Sequence, residues 1–193
     1  VPGARVVDLG CAPGGWCQVA VKRVNALGEK SGKAVGKVLG VDLQEVEPIA
    51  GAEIHQLDFL ADAADALVKE WLGGTADVVM SDMAPDTTGD PMGDAMRSAR
   101  LCHDLLDRCQ QWLRKGGNLT MKVFEGGEYP ELLKRAGRMF EEAKGYKPRA
   151  SRAESVEMFV VCLGYRGNDG RVPTADDALL PKRKPSKGWA TEE

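Results

Sequence analysis

The chain has 193 residues, of which 43% are hydrophobic and 28% charged. That length and balance suit one folded domain with a substantial core, and no apolar run approaches the roughly eighteen residues that a membrane span needs. The formal net charge of −3 argues against a uniformly basic nucleic-acid binder.

In chain order, apolar β-rich runs alternate with amphipathic stretches. Ala4–Leu9 reads as a short buried strand. Gly15–Leu27 reads as a helix with Cys17, Ala20, Val21, Val24 and Leu27 on one stripe, closed by Gly28. Glu29–Gly36 is a polar loop, Lys37–Leu43 a second strand and Glu53–Leu57 a third. Ala61–Leu72 is helical and ends at Gly73-Gly74, and Ala76–Ser81 is a fourth strand. Arg97–Arg114 carries the clearest helical periodicity, stopped by Gly116-Gly117 before a fifth strand at Asn118–Phe124. Pro130 suits the first turn of a helix to about Glu142. Val156–Leu163 is the last strand, and beyond Gly164 the chain turns polar. The expected division is a folded domain over residues 1–166 and a poorly ordered polar tail over 167–193.

This alternation predicts an α/β fold with a mostly parallel central sheet and helices on both faces. Ligands of such sheets bind at the carboxyl ends of the strands, so those ends are where chemistry is sought. The first strand runs into Asp8-Leu9-Gly10-Cys11-Ala12-Pro13-Gly14-Gly15-Trp16. Glycines between strand and helix let the backbone approach a ligand. The spacing is not that of dinucleotide binders, and no Lys-Ser/Thr follows to make a phosphate cradle. Asp8 suits a cationic or amino-bearing ligand better than a pyrophosphate. Asp42 ends the second strand, where an acid accepts from the two hydroxyls of a ribose. Asp58 follows the third strand, placed either to touch a base or to cap a turn. Asp82 ends the fourth strand. Lys122 sits inside an apolar strand, where an amine is costly unless paired or functional. Glu157 opens the last strand. An acid, a base and a second acid on neighbouring strand ends make either a polar catalytic cluster or a structural ion pair.

Cys11, Cys17, Cys102, Cys109 and Cys162 contain no C-x-x-C pair and read as reduced thiols, not as a disulfide framework or zinc site. Charge is uneven. Residues 1–129 carry 13 basic and 19 acidic side chains, and residues 130–193 carry 13 and 10. Pro130–Arg152 holds Lys134, Arg135, Arg138, Lys144, Lys147, Arg149 and Arg152, either a phosphate-attracting surface or a solvated helix face and loop.

The Asp8–Trp16 segment, Ser81-Asp82-Met83-Ala84-Pro85, Met121-Lys122-Val123-Phe124 and Ser151-Arg152-Ala153-Glu154-Ser155-Val156-Glu157 stand in order and at spacings that resemble the FtsJ (RrmJ) family of ribosomal RNA 2′-O-ribose methyltransferases, over roughly residues 2–167. The resemblance implies a Rossmann-like fold that uses S-adenosylmethionine to methylate a uridine ribose in large-subunit ribosomal RNA. It implies Gly14 and Trp16 as cofactor-loop contacts, Asp42 at the cofactor ribose, Asp58 near the adenine and Asp82 at the border of cofactor and catalytic centre. Lys122 would be the central catalytic lysine, and Glu157, preferred over Glu154, would complete the set. The family's tetrad opens with a further lysine on a helix ahead of the glycine loop. No lysine precedes Lys22 here, so an upstream segment is expected. A monomer in the bacterial cytosol, acting on RNA within the large ribosomal subunit and away from membranes, is the expected setting; the mitochondrial matrix is the alternative. The competing readings are a non-catalytic RNA-binding module on the cofactor fold and an NAD-dependent oxidoreductase.

Overall fold

The computed structural model describes residues 1–148 and 156–167. Its elements are β1 (Arg5–Leu9), α1 (Gly15–Val24), β2 (Lys37–Asp42), β3 (Ala52–Gln56), α2 (Ala64–Leu72), β4 (Ala76–Ser81), α3 (Pro91–Trp112), β5 (Leu113–Phe124), α4 (Tyr129–Met139), β6 (Phe140–Tyr146) and β7 (Glu157–Tyr165). They form one seven-stranded sheet in the order β3-β2-β1-β4-β5-β7-β6. All pairings from β3 across to β5 are parallel, and β7 runs antiparallel to both β5 and β6.

Side chains alternate between the two faces of each strand. Val7 and Leu9, Leu39 and Val41, and Leu119, Met121 and Val123 point to one face, where they pack with Val68 and Leu72 of α2, Leu105, Leu106 and Trp112 of α3, and Leu132 and Ala136 of α4. Val6 and Val38 point to the other, against Cys17, Ala20, Val21 and Val24 of α1. Helices on both faces of a mostly parallel sheet are what the alternating pattern required.

Several boundaries differ from the periodicity reading, and the physical reason is plain for these. α1 stops at Val24, not Leu27, because Asn25 takes a left-handed conformation (φ 62°) and donates its N–H to Val21. Its side chain then organises the following loop, accepting from the N–H of Lys30 at 2.8 Å. α3 begins at Pro91, six residues before Arg97. Asp90 caps it, accepting from the N–H groups of Met92 and Gly93, with Pro91 in the first turn. Gly116 and Gly117 lie inside β5, beside an irregularity in its register with β4 at Ala76/Val78, and do not end an element. Finally, α4 ends at Met139, and Phe140–Tyr146 is the edge strand β6, not helix and loop. Glu141, Glu142 and Lys144 favour helix in isolation, but pairing with β7 and complete burial of Phe140 override that preference. Arg149, Arg152 and Glu154, and the tail from 168 onward, lie outside the described residues.

Candidate active site

β5 sends Met121 and Val123 into the α3/α4 core, so Lys122 between them faces the opposite side of the sheet. Its side chain is only 11% exposed. An isolated ammonium so nearly buried would be costly, and two carboxylates compensate it. Lys122 Nζ lies 3.1 Å from Asp82 Oδ1 and 3.5 Å from Glu157 Oε1. Each partner reaches this point for a separate reason. Asp82 follows the last residue of β4 and is held by its own N–H, which donates to the carbonyl of Leu9 at 3.0 Å. Glu157 opens β7 opposite Phe124 of β5. Because β7 runs antiparallel, its first residue lies at the same end of the sheet as the last residues of β4 and β5.

The glycine loop lies beside this cluster. Gly10 (φ 69°) approaches the next loop so closely that a Cβ would sit 2.9 Å from the backbone nitrogen of Met83. Gly14 (φ 114°) caps α1, and a Cβ there would collide with Ile49 Cδ1. Asp42 ties the end of β2 to the loop. Its Oδ2 accepts from the N–H of Ala12 at 2.8 Å and its Oδ1 from the N–H of Gln44 at 2.9 Å. The carbonyl of Asp42 accepts from the N–H of Leu57, just past the end of β3, which places Asp58 alongside. Asp58 Oδ1 accepts from the N–H of Leu60 at 2.9 Å, so it does cap a turn here. Trp16 follows the loop directly, as the second residue of α1. Its ring tilts against Phe159 at 5.7 Å, and Phe159 pairs with Lys122 across β5–β7.

Two further acids shape it: Asp8, already placed beside the loop by the sequence, and Asp94, which the sequence reading did not single out. Asp8 is fully buried on the α1 side of β1. Its Oδ2 accepts from the Cys17 thiol at 3.2 Å, while its Oδ1 has no partner. Burial first, then the negative charges of Asp82 and Asp42, raise its pKa from 3.8 to about 6, against the lowering effect of the Cys17 hydrogen bond. Asp94, in the first turn of α3, pins the loop that follows Asp82. Its Oδ1 accepts from the N–H of Thr88 at 3.0 Å and from Thr88 Oγ1 at 3.1 Å, and it pairs with Arg97, which also donates to Thr88 Oγ1. The contact joins residues six apart across a turn, so no helical or strand period marks it.

The arrangement offers a cation at the rim of a strand-end crevice, a glycine loop open to close approach, and carboxylates at the ends of β2 and β3. That combination suits a ligand bearing a ribose and a positive group, with a hydroxyl presented to Lys122.

The FtsJ-like methyltransferase family model matches residues 1–165. The chain is 59% identical over 169 residues to a ribosomal RNA large subunit methyltransferase E of a Jannaschia species, covering 88% of this chain and 71% of that one. It is 61% identical over 167 residues to the protein of that name from Ruegeria pomeroyi, covering 86% and 72%. Among solved structures, a protein assigned as a ribosomal RNA methyltransferase from Plasmodium falciparum superposes with a TM-score of 0.75 at 25% identity, covering 86% of this chain and 89% of that one. A SAM-dependent O-methyltransferase of Thermotoga maritima, at 17% identity and a TM-score of 0.52, covering 86% and 61%, shares the fold.

The buried Asp8 carries a pH dependence of known sign. Its folded pKa is raised, so between about pH 4 and pH 6 the unfolded chain releases the proton while the folded chain keeps it, and stability falls as pH rises through that window. The loss approaches roughly 3 kcal/mol for a shift of this size. Asp8→Asn removes it. Urea unfolding should show the variant gaining on the wild type between pH 4 and pH 7; parallel pH curves for the two proteins would contradict the assignment.

Proposed function

The chain belongs to the FtsJ-like methyltransferase family, and on that premise we propose that it transfers a methyl group from S-adenosylmethionine to the 2′-hydroxyl of a uridine ribose in large-subunit ribosomal RNA. The observation that carries this reading is the ion-paired Lys122 between Asp82 and Glu157 at the strand ends, next to the glycine loop. The residues present fit the cofactor. Asp8 keeps an unpartnered buried oxygen behind the loop, a source of negative potential for a cationic ligand. No atom lies within 4 Å of a Cβ built on Gly15, so the loop is open where a ligand approaches. Asp42 is the acid for the ribose hydroxyls, with Gly14 and Trp16 at the loop, Asp58 on the adenine side, and Asp82 shared between cofactor and chemistry.

When bound, S-adenosylmethionine supplies a methyl carbon already activated by its sulfonium charge. The chain's own task is to align a weak nucleophile and to manage one proton. Lys122, as a cation, donates a hydrogen bond to the 2′-oxygen, turns a lone pair toward the methyl group and stabilises negative charge as the O–H bond weakens. Asp82 and Glu157 hold the ammonium in place, and one of these two carboxylates takes up the proton that the hydroxyl loses.

RNA is attracted by the basic surface of α4 and β6. Lys134 is exposed beside Glu131, and Lys144 pairs with Glu142. Arg135 is drawn instead onto α3, paired with Asp107 and donating to the carbonyl of His103 at 3.1 Å. A structured ribosomal RNA is best presented within an assembled subunit, so the large ribosomal subunit is the proposed substrate and a monomer in the cytosol the proposed form. Among the described residues no helix is long and apolar enough to cross a membrane.

Two measurements test this reading. Lys122→Ala should abolish labelled-methyl transfer to large-subunit ribosomal RNA while calorimetry shows S-adenosylmethionine binding retained; lost cofactor affinity would refute the role given to Lys122. RNA affinity should fall steeply between about 50 and 200 mM salt, as phosphate contacts by lysine and arginine require. A flat salt response would remove the α4/β6 surface from the account.

A further inference from the structure

The crevice between β4 and β5 leaves part of β5 without a strand beside it. β4 ends at Ser81, whose partner is Met121, and the chain then turns away through Asp82 while β5 continues to Phe124. The N–H of Glu125 donates to Val156 on the β7 side. By strand alternation, the backbone groups of Lys122 and Phe124 therefore face the side that β4 has vacated. Buried backbone groups in that position need partners.

Two side chains of α3 supply them. Ser98, 2% exposed, accepts from the N–H of Phe124 at 3.0 Å. Cys102, 4% exposed, donates its thiol to the carbonyl of Lys122 at 3.1 Å. The two are four residues apart and so share a helix face, and Asp94, which pins the Thr88 loop, is one turn earlier on the same stripe. Burial pushes the Cys102 thiol up to about 12, so the proton it donates stays on sulfur across the neutral range. One helix face thus holds the loop after Asp82, the end of β5, and the carbonyl of the lysine itself.

We infer that Ser98 and Cys102 are positioning residues for methyl transfer: they stand in for the missing strand and fix the backbone of Lys122 so that its amine meets Asp82 and Glu157. This inference rests on the reaction proposed above. A misplacement of about an ångström at a reacting group lowers turnover by up to about a hundredfold. Loss of either contact therefore acts on the catalytic step, not on cofactor binding.

The test uses the complete protein with S-adenosylmethionine and large-subunit ribosomal RNA. Ser98→Ala and Cys102→Val should each lower kcat by roughly ten- to a hundredfold with KM for the cofactor unchanged. Ser98→Thr and Cys102→Ser, which keep the acceptor and the donor, should recover most of it. Amide hydrogen exchange at Phe124 should quicken in Ser98→Ala while that at Leu39, in β2, does not. Wild-type kcat in folded Ser98→Ala, or a raised cofactor KM in place of a lowered kcat, would overturn the inference. Should Ser98→Ala not fold, equal turnover by Cys102→Val and Cys102→Ser would do the same. Wild-type protein that leaves the RNA unmethylated refutes the proposed function itself, and exchange at Phe124 then still decides whether Ser98 holds the strand.

Discussion

A lysine ammonium buried to nine-tenths must have its charge answered, and the sheet is arranged so that two carboxylates answer it. Lys122 comes from near the carboxyl end of the long strand β5, Asp82 from the turn after β4, and Glu157 from the start of β7. The first two arrive through ordinary parallel pairing. Glu157 arrives only because β7 runs backwards, so that its first residue falls at the carboxyl end of its neighbours. A parallel seventh strand would carry an acid in that position to the far edge. The antiparallel β6–β7 pair is therefore a condition of the site as well as an edge of the sheet.

The same end of the sheet concentrates negative charge. Asp8, Asp42, Asp58 and Asp82 all lie on or just beyond the carboxyl ends of strands β1 to β4, and Asp8 holds its proton more tightly, first because it is buried and second because Asp82 and Asp42 are near. Cys17, hydrogen-bonded to Cys11 and buried, has its own pKa raised and so remains a donor to Asp8. This pattern disfavours an anionic ligand such as a pyrophosphate and favours a cationic one. It agrees with a family whose cofactor carries a sulfonium and an ammonium.

Much of this architecture was legible in the sequence, for a physical reason. β1, β2 and β4 are covered on both faces, so they read as short continuous apolar runs between turn residues. Acids placed directly after such runs fall at strand ends in any parallel sheet, which is how Asp8, Asp42 and Asp82 could be located without coordinates. The misses share a cause too. The first turns of α3 rest on a cap and a proline, and their large apolar side chains, Met92 and Met96, face solvent while small Ala95 and Ala99 are buried. β6 is an edge strand whose Glu141, Glu142 and Lys144 look helical until β7 pairs with them. The Asp94–Thr88 and Ser98–Phe124 contacts join side chain to backbone across tertiary space, and no periodicity encodes them.

The central claim is that Asp82 and Glu157 act as one unit on a single lysine. A double-mutant cycle on the single-turnover methyl-transfer rate, with Asp82→Asn, Glu157→Gln and the pair, tests it most directly. The account predicts strong non-additivity, with the double variant losing little more than the worse single one. Losses that multiply as for independent sites would contradict it.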